Sequence, residues 1–301
     1  MTKPKRTSLA ILLATLLIGL AWESCSRYPR QPTRNGRALS EWLTQLDSTY
    51  PDGMDSTKTW QAQMSPKQAE AATAIREIGT NALPHLVHSL TNVNSRRMER
   101  IISGFRRLVG TERSRRPPGA EQRKAAFGLA ALGPVAAKAI PELSEAMGDP
   151  FLSAQAAVAL ASIGPEGWAA LTCQISSTNS FAAHNAIRQL ANYHAVVAGT
   201  VEALMAKVRH DPSGSIYVSS LVRLGPHDQR MVPFLTSLLE SSNAFFRIHA
   251  AHGLQVLGTN SKSAVPELSN LLCDRDPAVR RAATNSLKQI DSDAASKAGV
   301  R

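Results

Sequence analysis

Two pairs of histidines have a spacing that could support chemistry. His85 and His88 are three residues apart, as are His249 and His252. Two imidazoles at this spacing share one face of a helix and can hold a metal ion together. Neither pair has a third ligand nearby in the sequence. We therefore interpret them as ordinary surface or packing histidines, and the sequence predicts no metal site.

The cysteines and the sequence motifs favour no catalytic chemistry. The three cysteines, Cys25, Cys173 and Cys273, are an odd and sparse set without a Cys-x-x-Cys pair. The sequence also lacks a nucleophile elbow, a P-loop and a dinucleotide-binding fingerprint. We therefore expect a non-enzymatic protein with no catalytic residues and no cofactor.

The N-terminus has the pattern of an export signal. Basic residues at 3–6 precede the charge-free run Leu9–Trp22, whose about 14 residues are fewer than the ~20 of a full membrane span. We expect residues 1–24 to be a signal peptide cleaved after Ala21 or an uncleaved membrane anchor. A lipid on Cys25 is a third reading, which the three residues before that cysteine fit poorly. Each reading predicts an exported, periplasmic or membrane-anchored protein.

The positive charge is concentrated in one segment. Of the net charge of +11, residues 1–92 carry +3, residues 93–124 carry +7 and residues 125–301 carry +1. The high isoelectric point therefore says little about most of the surface. The basic residues at 93–124 therefore need an explanation that does not apply to the rest of the chain.

That segment is predicted to form a basic amphipathic helix and loop at 93–121. Apolar residues at helical steps run from Met98 to Val109. The arginines around this stripe and in the following loop are candidate partner-binding residues: Arg97, Arg100, Arg106, Arg107, Arg115 and Arg116. They suit an anionic membrane surface, an acidic protein or a nucleic acid, although export argues against nucleic acid. The alternative is an extra repeat helix with a solvated basic face.

A self-similar unit recurs from about residue 66 to residue 290. Each copy has an alanine-rich helix ending in Leu-Gly or Ile-Gly, a polar turn, and a second helix opening near a proline. The glycines at 133, 164, 225 and 258 are separated by 31, 61 and 33 residues, where 61 spans one degenerate copy. Such a glycine ends the first helix, and the proline opens the second. Because one hairpin cannot bury both of its sides, the copies must stack.

The repeat predicts an all-α fold, an α-solenoid or HEAT/armadillo-like superhelix of about six to seven hairpins. Each unit should bury an equivalent leucine, and these are Leu132, Leu160, Leu224, Leu257 and Leu287. Around the array at 122–292 we expect a basic flexible linker at 25–38. A cap helix, a loop and the first repeat should occupy 39–92, and 293–301 should be a disordered tail.

The repeat resembles the HEAT repeat family, in the short bacterial form also seen in phycobilisome lyase-like proteins. The sequence at Asp276–Arg280, Asp-Pro-Ala-Val-Arg, followed by Ala282-Ala283, fits the family motif Asp-x-x-Val-Arg-x-x-Ala-Ala. The resemblance covers 66–290. It implies that the second helix of each hairpin lines a concave binding face. Candidate residues there are Arg76, Gln155, His184, Arg247, Arg280 and Arg281.

The function predicted from these features is a non-enzymatic scaffold for protein–protein interaction outside the cytoplasm or at the membrane surface. We expect it to be a monomer with a protein partner that the sequence does not name. One alternative is a nucleic-acid-binding solenoid that uses the basic segment. The other is a lyase-like HEAT enzyme, which would carry a bound chromophore.

Overall fold

A computed structural model describes residues 31–47, 59, 61–91, 120–211 and 214–299, without the side chains of Ser215 and Ile216. The predicted export segment lies outside the described residues, as do the six arginines between 97 and 116. The described residues form two compact units: one contains 31–47 and the described parts of 65–132, and the other contains 59–64 and the described residues from 133 onward.

The first unit begins with a β-hairpin and continues with helices. Its elements are β1 (Thr33–Arg34), β2 (Arg37–Ala38), α1 (Leu39–Asp47), α2 (Pro66–Ile78), α3 (Leu83–Thr91) and α4 (Ala120–Leu132). Helix α1 packs on α2 and α4, and α3 packs on α4. A Cβ atom added at Gly128 would lie 2.6 Å from Leu86 and 2.7 Å from Leu43. Glycine therefore lets α4 approach its neighbours closely.

Within the predicted flexible linker at 25–38, residues 33–38 form a β-hairpin, while 25–30 lie outside the described residues. Strand β1 pairs antiparallel with β2 across Asn35 and Gly36, whose φ angles are 51° and 74°. Positive φ at both central residues is what the two-residue turn of a tight hairpin requires, and Asn-Gly is its commonest sequence. The two described arginines of this segment also have partners. Arg34 forms an ion pair with Glu77 at 2.7 Å, and the Arg37 guanidinium lies 4.5 Å from the Trp42 ring centre.

The second unit contains the remaining helices. Their bounds are α5 (Ile140–Ala146), α6 (Ser153–Ile163), α7 (Pro165–Ile175), α8 (Ser180–Tyr193), α9 (Thr200–His210), α10 (Val218–Leu224), α11 (Met231–Leu239), α12 (Ala244–Leu257), α13 (Val265–Asn270), α14 (Pro277–Ile290) and α15 (Ser292–Lys297). Short 3-10 helices precede α5, α10 and α13 at Gly133–Ala139, Gly214–Tyr217 and Gly258–Ala264, and others occur at Gly79–Ala82, Gln61–Gln63 and Leu271–Cys273.

Within this unit the helices form two rows. The first helices of successive hairpins, α6, α8, α10, α12 and α14, each pack on the next one along the chain. Each second helix packs on the first helix of the following hairpin: α5 on α6, α7 on α8, α9 on α10, α11 on α12 and α13 on α14. Packing of each hairpin on the next one along the chain is the arrangement of a solenoid. The all-α solenoid prediction is thereby confirmed.

The predicted glycine conformation is present in most copies but not at Gly225, which follows α10 with φ −123°. Gly133 and Gly258 follow α4 and α12 with φ angles of 60° and 59°. Residues other than glycine rarely adopt positive φ angles. The five predicted leucines are all buried. They do not occupy one equivalent position, because Leu132, Leu224 and Leu257 directly precede a glycine, whereas Leu160 lies four residues before Gly164. Ile163 is the residue that precedes Gly164, and it is buried as well.

Both ends of the array differ from the predicted boundaries. Helix α4 begins at Ala120, two residues before the predicted start, while the rest of 93–121 lies outside the described residues. The predicted disordered tail contains α15, where Asp291 caps the helix by accepting from the Asp293 and Ala294 backbone N–H groups and Ala295 is buried. A side-chain cap of this kind stabilises a helix start by about 1 kcal/mol.

A short segment N-terminal to the first repeat belongs to the second unit. Gln61 donates through Nε2 to Ser162 Oγ at 3.0 Å, and Tyr193 donates to Gln61 Oε1. Ser162 and Tyr193 also contact each other at 3.1 Å. The predicted loop within 39–92 thus contains a fixed contact with α6 and α8.

One helical stretch of the described residues, Ala120–Ala146, is long and apolar enough to cross a membrane by length and composition alone. Phe127, Leu129, Leu132 and Leu143 within it are buried in the protein. Core helices of soluble proteins have the same composition, so this stretch is weak evidence for a membrane span.

We expect Gly167→Ala to destabilise the second unit by about 1–3 kcal/mol, the usual range for overpacking. The added Cβ would lie 1.9 Å from the Leu160 carbonyl oxygen, so α6 and α7 would have to separate. This effect outweighs the roughly 0.4–1 kcal/mol that a Gly→Ala change gains through the unfolded chain. Thermal unfolding measures it, with the exposed neighbour change Glu166→Ala as the control. An unchanged melting temperature for Gly167→Ala would contradict the close approach.

Candidate protein-interaction surface

The motif at the start of α14 fastens the preceding turn to the helix. Asp276 Oδ1 accepts from the Ala278 backbone N–H at 2.7 Å, and Val279 is buried. Arg280 donates through Nη1 to the carbonyl oxygens of Asp274 at 2.7 Å and Arg275 at 3.2 Å. The residues that carry the family resemblance are therefore explained by local structure.

Arg247 makes the same type of contact at the start of α12, and it is buried. Its Nη1 donates to the carbonyl oxygens of Ser241 at 2.7 Å and Ser242 at 3.2 Å. Its Nε and Nη2 lie 2.8 and 2.9 Å from the two carboxylate oxygens of Asp274, and the side chain is 6% exposed. This ion pair, with one hydrogen bond from Nη2, joins α12 to the turn before α14. Arg247, predicted to bind a partner, connects two repeats.

The electrostatic environment of Asp274 makes this pair sensitive to acid. Burial favours the neutral form of the carboxyl, but hydrogen bonds from Arg247 and from the Asp276 backbone outweigh it. The pKa of Asp274 is consequently lowered from its ordinary value. The charged carboxylate is the form that stabilises the fold.

We expect the stability contributed by Asp274 to be complete above about pH 4, the ordinary aspartate pKa, and to disappear as the pH falls through the lower folded-state pKa. Urea unfolding of the native protein and of Asp274→Asn between pH 7 and pH 3 measures it. The stability difference between them should stay constant above about pH 4 and shrink below it. A difference that shrinks between pH 7 and pH 5 would contradict the lowered pKa.

The other described candidates have different surroundings. Arg76 donates through Nε to the Ala131 carbonyl oxygen at 3.0 Å, which joins α2 to α4. Gln155 is partly buried, and its Oε1 accepts no hydrogen bond among the described residues. His184 is exposed with its ring centre 6.2 Å from that of Tyr217, and burial followed by the Arg188 charge lowers its pKa. Arg281 is exposed on α14.

All six described candidates lie on the first helices of their hairpins, namely α2, α6, α8, α12 and α14. The family resemblance assigns the binding face to the second helices, which none of these residues occupies. Their contact with a partner stays a prediction.

The two histidine pairs also differ. His85 is buried in α3, where burial followed by the charge of His88 lowers its pKa. His249 and His252 lie on α12, where His252 is exposed and His249 is partly exposed. Among the described residues no three of His, Cys, Asp or Glu cluster in a way that could hold a metal ion. Cys173 and Cys273 are exposed free thiols.

A groove lies between two second helices, α11 and α13. It contains two adjoining cavities of about 430 and 370 Å³. Glu240 and Glu267 line both cavities and therefore mark where they join. The remaining walls are mixed, with apolar, hydroxyl and charged groups: Val232, Pro233, Thr236, Ser237, Leu239, Ser241, Arg247, Ser263, Asn270, Leu271, Asp274 and Arg275.

Some charged groups of this groove are paired within the protein and others are not. Arg247 and Asp274 neutralise each other at its inner wall. Glu267 Oε2 is buried yet accepts no hydrogen bond within the described chain. Glu142 Oε2, in the same Pro-Glu-Leu sequence of α5, is also buried without a donor in the described chain, so this feature recurs in the repeat and is not specific to the groove. A buried oxygen of this kind is commonly satisfied by an ordered water or a bound group. Glu267 lines the groove, where a ligand with hydrogen-bond donors can contact its carboxylate.

Sequence reasoning did not find Glu240 and Glu267. A signal was present, because Glu267 follows the proline that opens a second helix and Glu240 directly follows another second helix. Applying the row assignment of the family to these positions would have identified both.

The comparisons with known proteins agree with this fold. The HEAT repeats profile matches residues 232–298, which include the groove and the α14 motif. Residues 232–298 therefore match HEAT repeats, in agreement with the resemblance identified from the sequence in this part of the chain. No curated protein matches the sequence.

Several solved structures are similar at low identity. One is the complex of CpcE and CpcF of phycocyanin lyase from Nostoc sp. PCC7120, at 16% identity and a TM-score of 0.31, covering 90% of this chain and 96% of that chain. Two engineered proteins match at 21% and 22% identity with TM-scores of 0.33 and 0.27; the first match covers 87% of this chain and 71% of that chain, and the second 84% and 96%. Similarity at this level carries no argument about activity.

Proposed function

We propose that this protein is a non-enzymatic HEAT-repeat scaffold that binds a partner protein in the groove between α11 and α13. The observation that carries the proposal is the pair of carboxylates at Glu240 and Glu267, which line both cavities on the second-helix row. The Arg247–Asp274 pair, by contrast, is already satisfied within the fold. Arg275 also lines the groove, so its three carboxylates and two guanidinium groups leave one net negative charge available to a ligand.

A lysine or arginine side chain of the partner fits these walls. Its charged end can donate to the two carboxylates, while its aliphatic stem contacts Val232, Pro233 and Leu239. A partner segment with one or more basic residues is therefore the ligand class that the groove favours.

The binding site is tested with a photo-crosslinking residue in place of Ser263, which lines the groove and is exposed. We expect one identified partner to crosslink there, and Glu240→Gln with Glu267→Gln to remove most of that product. Glu142→Gln is the matched control, because Glu142 occupies the same Pro-Glu-Leu sequence in α5. Equal crosslinking in the groove variant and the control would contradict the site. Visible absorbance from a chromophore bound to the purified protein would contradict a non-enzymatic role.

We further propose that the scaffold acts outside the cytoplasm or at the membrane surface. The basic residues at 3–6 and the apolar run Leu9–Trp22 support this location. Residues 1–40 fused to a reporter that is active only outside the cytoplasm should give an active product. An inactive, soluble fusion would contradict export. The mass of the mature N-terminus separates cleavage after Ala21 from a retained anchor.

A further inference from the structure

The outer face of α12 carries a stripe that the packing of the array does not use. Phe245, His249, His252 and Val256 follow one another at steps of four, three and four residues, so they share one helix face. Phe245 is 65% exposed and Val256 is 71% exposed. The opposite face of α12 is the buried one, with Ala250, Ala251 and Leu254 among its residues.

Among the described helices, α12 alone carries two large, well-exposed hydrophobic side chains with two histidines between them. Single exposed hydrophobic residues are normal on a protein surface, whereas apolar groups that share a face with metal-ligand side chains call for an explanation.

The stripe is symmetric about its own centre. The midpoint between His249 and His252 is also the midpoint between Phe245 and Val256. A second copy of α12 packed antiparallel about a two-fold axis at this midpoint would place Phe245 opposite Val256 at both ends. His249 of each copy would then face His252 of the other copy. A two-fold interface requires this kind of self-complementary pattern.

We propose that the outer face of α12 is a dimerisation surface, in which His249 and His252 from two copies bind one Zn²⁺ ion. Four imidazole nitrogens satisfy the tetrahedral coordination that zinc prefers, at Zn–N distances of about 2.0–2.1 Å. One copy supplies two ligands, which agrees with the absence of a complete metal cluster within the described part of a single chain. Phe245 and Val256 bury apolar surface on either side of the metal. The dimer replaces the monomer predicted from the sequence.

The test is the mass of the full chain in mild detergent, measured by sedimentation with EDTA and with added Zn²⁺. We expect a monomer in EDTA and a dimer with one zinc ion per two chains. His249→Ala and His252→Ala should each abolish the zinc-dependent change in mass. His184→Ala is the matched control, because His184 is an exposed histidine on another first helix.

A second variant separates the metal from the apolar contact. Val256→Lys leaves both histidines in place but puts a charge opposite Phe245 in the dimer, so the zinc-dependent dimer should be lost. Because Val256 and His252 are exposed, these variants should keep the native melting temperature measured in EDTA. An unchanged mass with zinc, one zinc per chain in the monomer, or an equal dimer in the His249→Ala/His252→Ala double variant would overturn the proposal.

Discussion

Arg247→Met should lower the free energy of unfolding of the second unit by about 3–5 kcal/mol, the usual cost of removing one partner from a buried ion pair. The change leaves the Asp274 carboxylate, whose side chain is 9% exposed, without its neutralising partner. Methionine keeps most of the volume of the arginine side chain, so the loss reports on charge and hydrogen bonds. Urea-induced unfolding at pH 7 measures it.

Two comparisons make this result specific. Arg280→Met removes similar carbonyl contacts from an exposed arginine, and we expect a loss of about 1 kcal/mol or less. Adding Asp274→Asn to Arg247→Met should recover part of the lost stability, because the unpaired charge is removed as well. Equal losses for Arg247→Met and Arg280→Met would show that burial of the ion pair contributes nothing.

Leu160→Ala should cost about 2–5 kcal/mol, through lost apolar burial and the cavity that remains. Leu160 is 0% exposed within α6, and its helix neighbours Ala156, Ala157 and Ala161 are too small to fill the space. We expect a cost near the upper end of the range, because close packing of small residues leaves few side chains that can move. The shift of the urea midpoint at constant slope is the measurement.

The matched change for this prediction is Val135→Ala, at a side chain that is 43% exposed. Its effect should stay within about 0.5 kcal/mol, as for most surface substitutions. Equal costs for the two changes would contradict the predicted contribution of the buried Leu160 side chain to stability.

The fold was predictable because its signals are local. Glycines with positive φ, prolines at helix starts and one leucine per unit recur in the sequence, and each acts within its own hairpin. The hairpin at Asn35-Gly36 was predictable for the same reason, because Asn-Gly favours a tight turn. The prediction of a linker rested on the charge of the neighbouring arginines and did not use this turn signal.

The candidate surface was less predictable because it depends on contacts between repeats. The sequence shows that residue 247 is an arginine, but its burial follows from Asp274, which is 27 residues away. Conversely, Glu240 and Glu267 belong to different repeats, and they share a groove only once α11 and α13 are neighbours. To predict which residues of different repeats become neighbours, one must know how successive hairpins are aligned against each other. The pattern of a single sequence gives this alignment only approximately.

The contact of Gln61 with Ser162 and Tyr193 has a consequence for the order of assembly. A chain that emerges N-terminus first, from the ribosome or through a translocation pore, exposes Gln61 well before its partners, which follow 101 and 132 residues later. At synthesis rates of about 5–20 residues per second, Tyr193 follows after roughly 7–26 s. Bringing the ends of a loop of this length together costs conformational entropy, and this cost comes before the two hydrogen bonds can stabilise the contact. The early segment must therefore wait for α6 and α8, and its attachment follows the formation of these helices instead of initiating it.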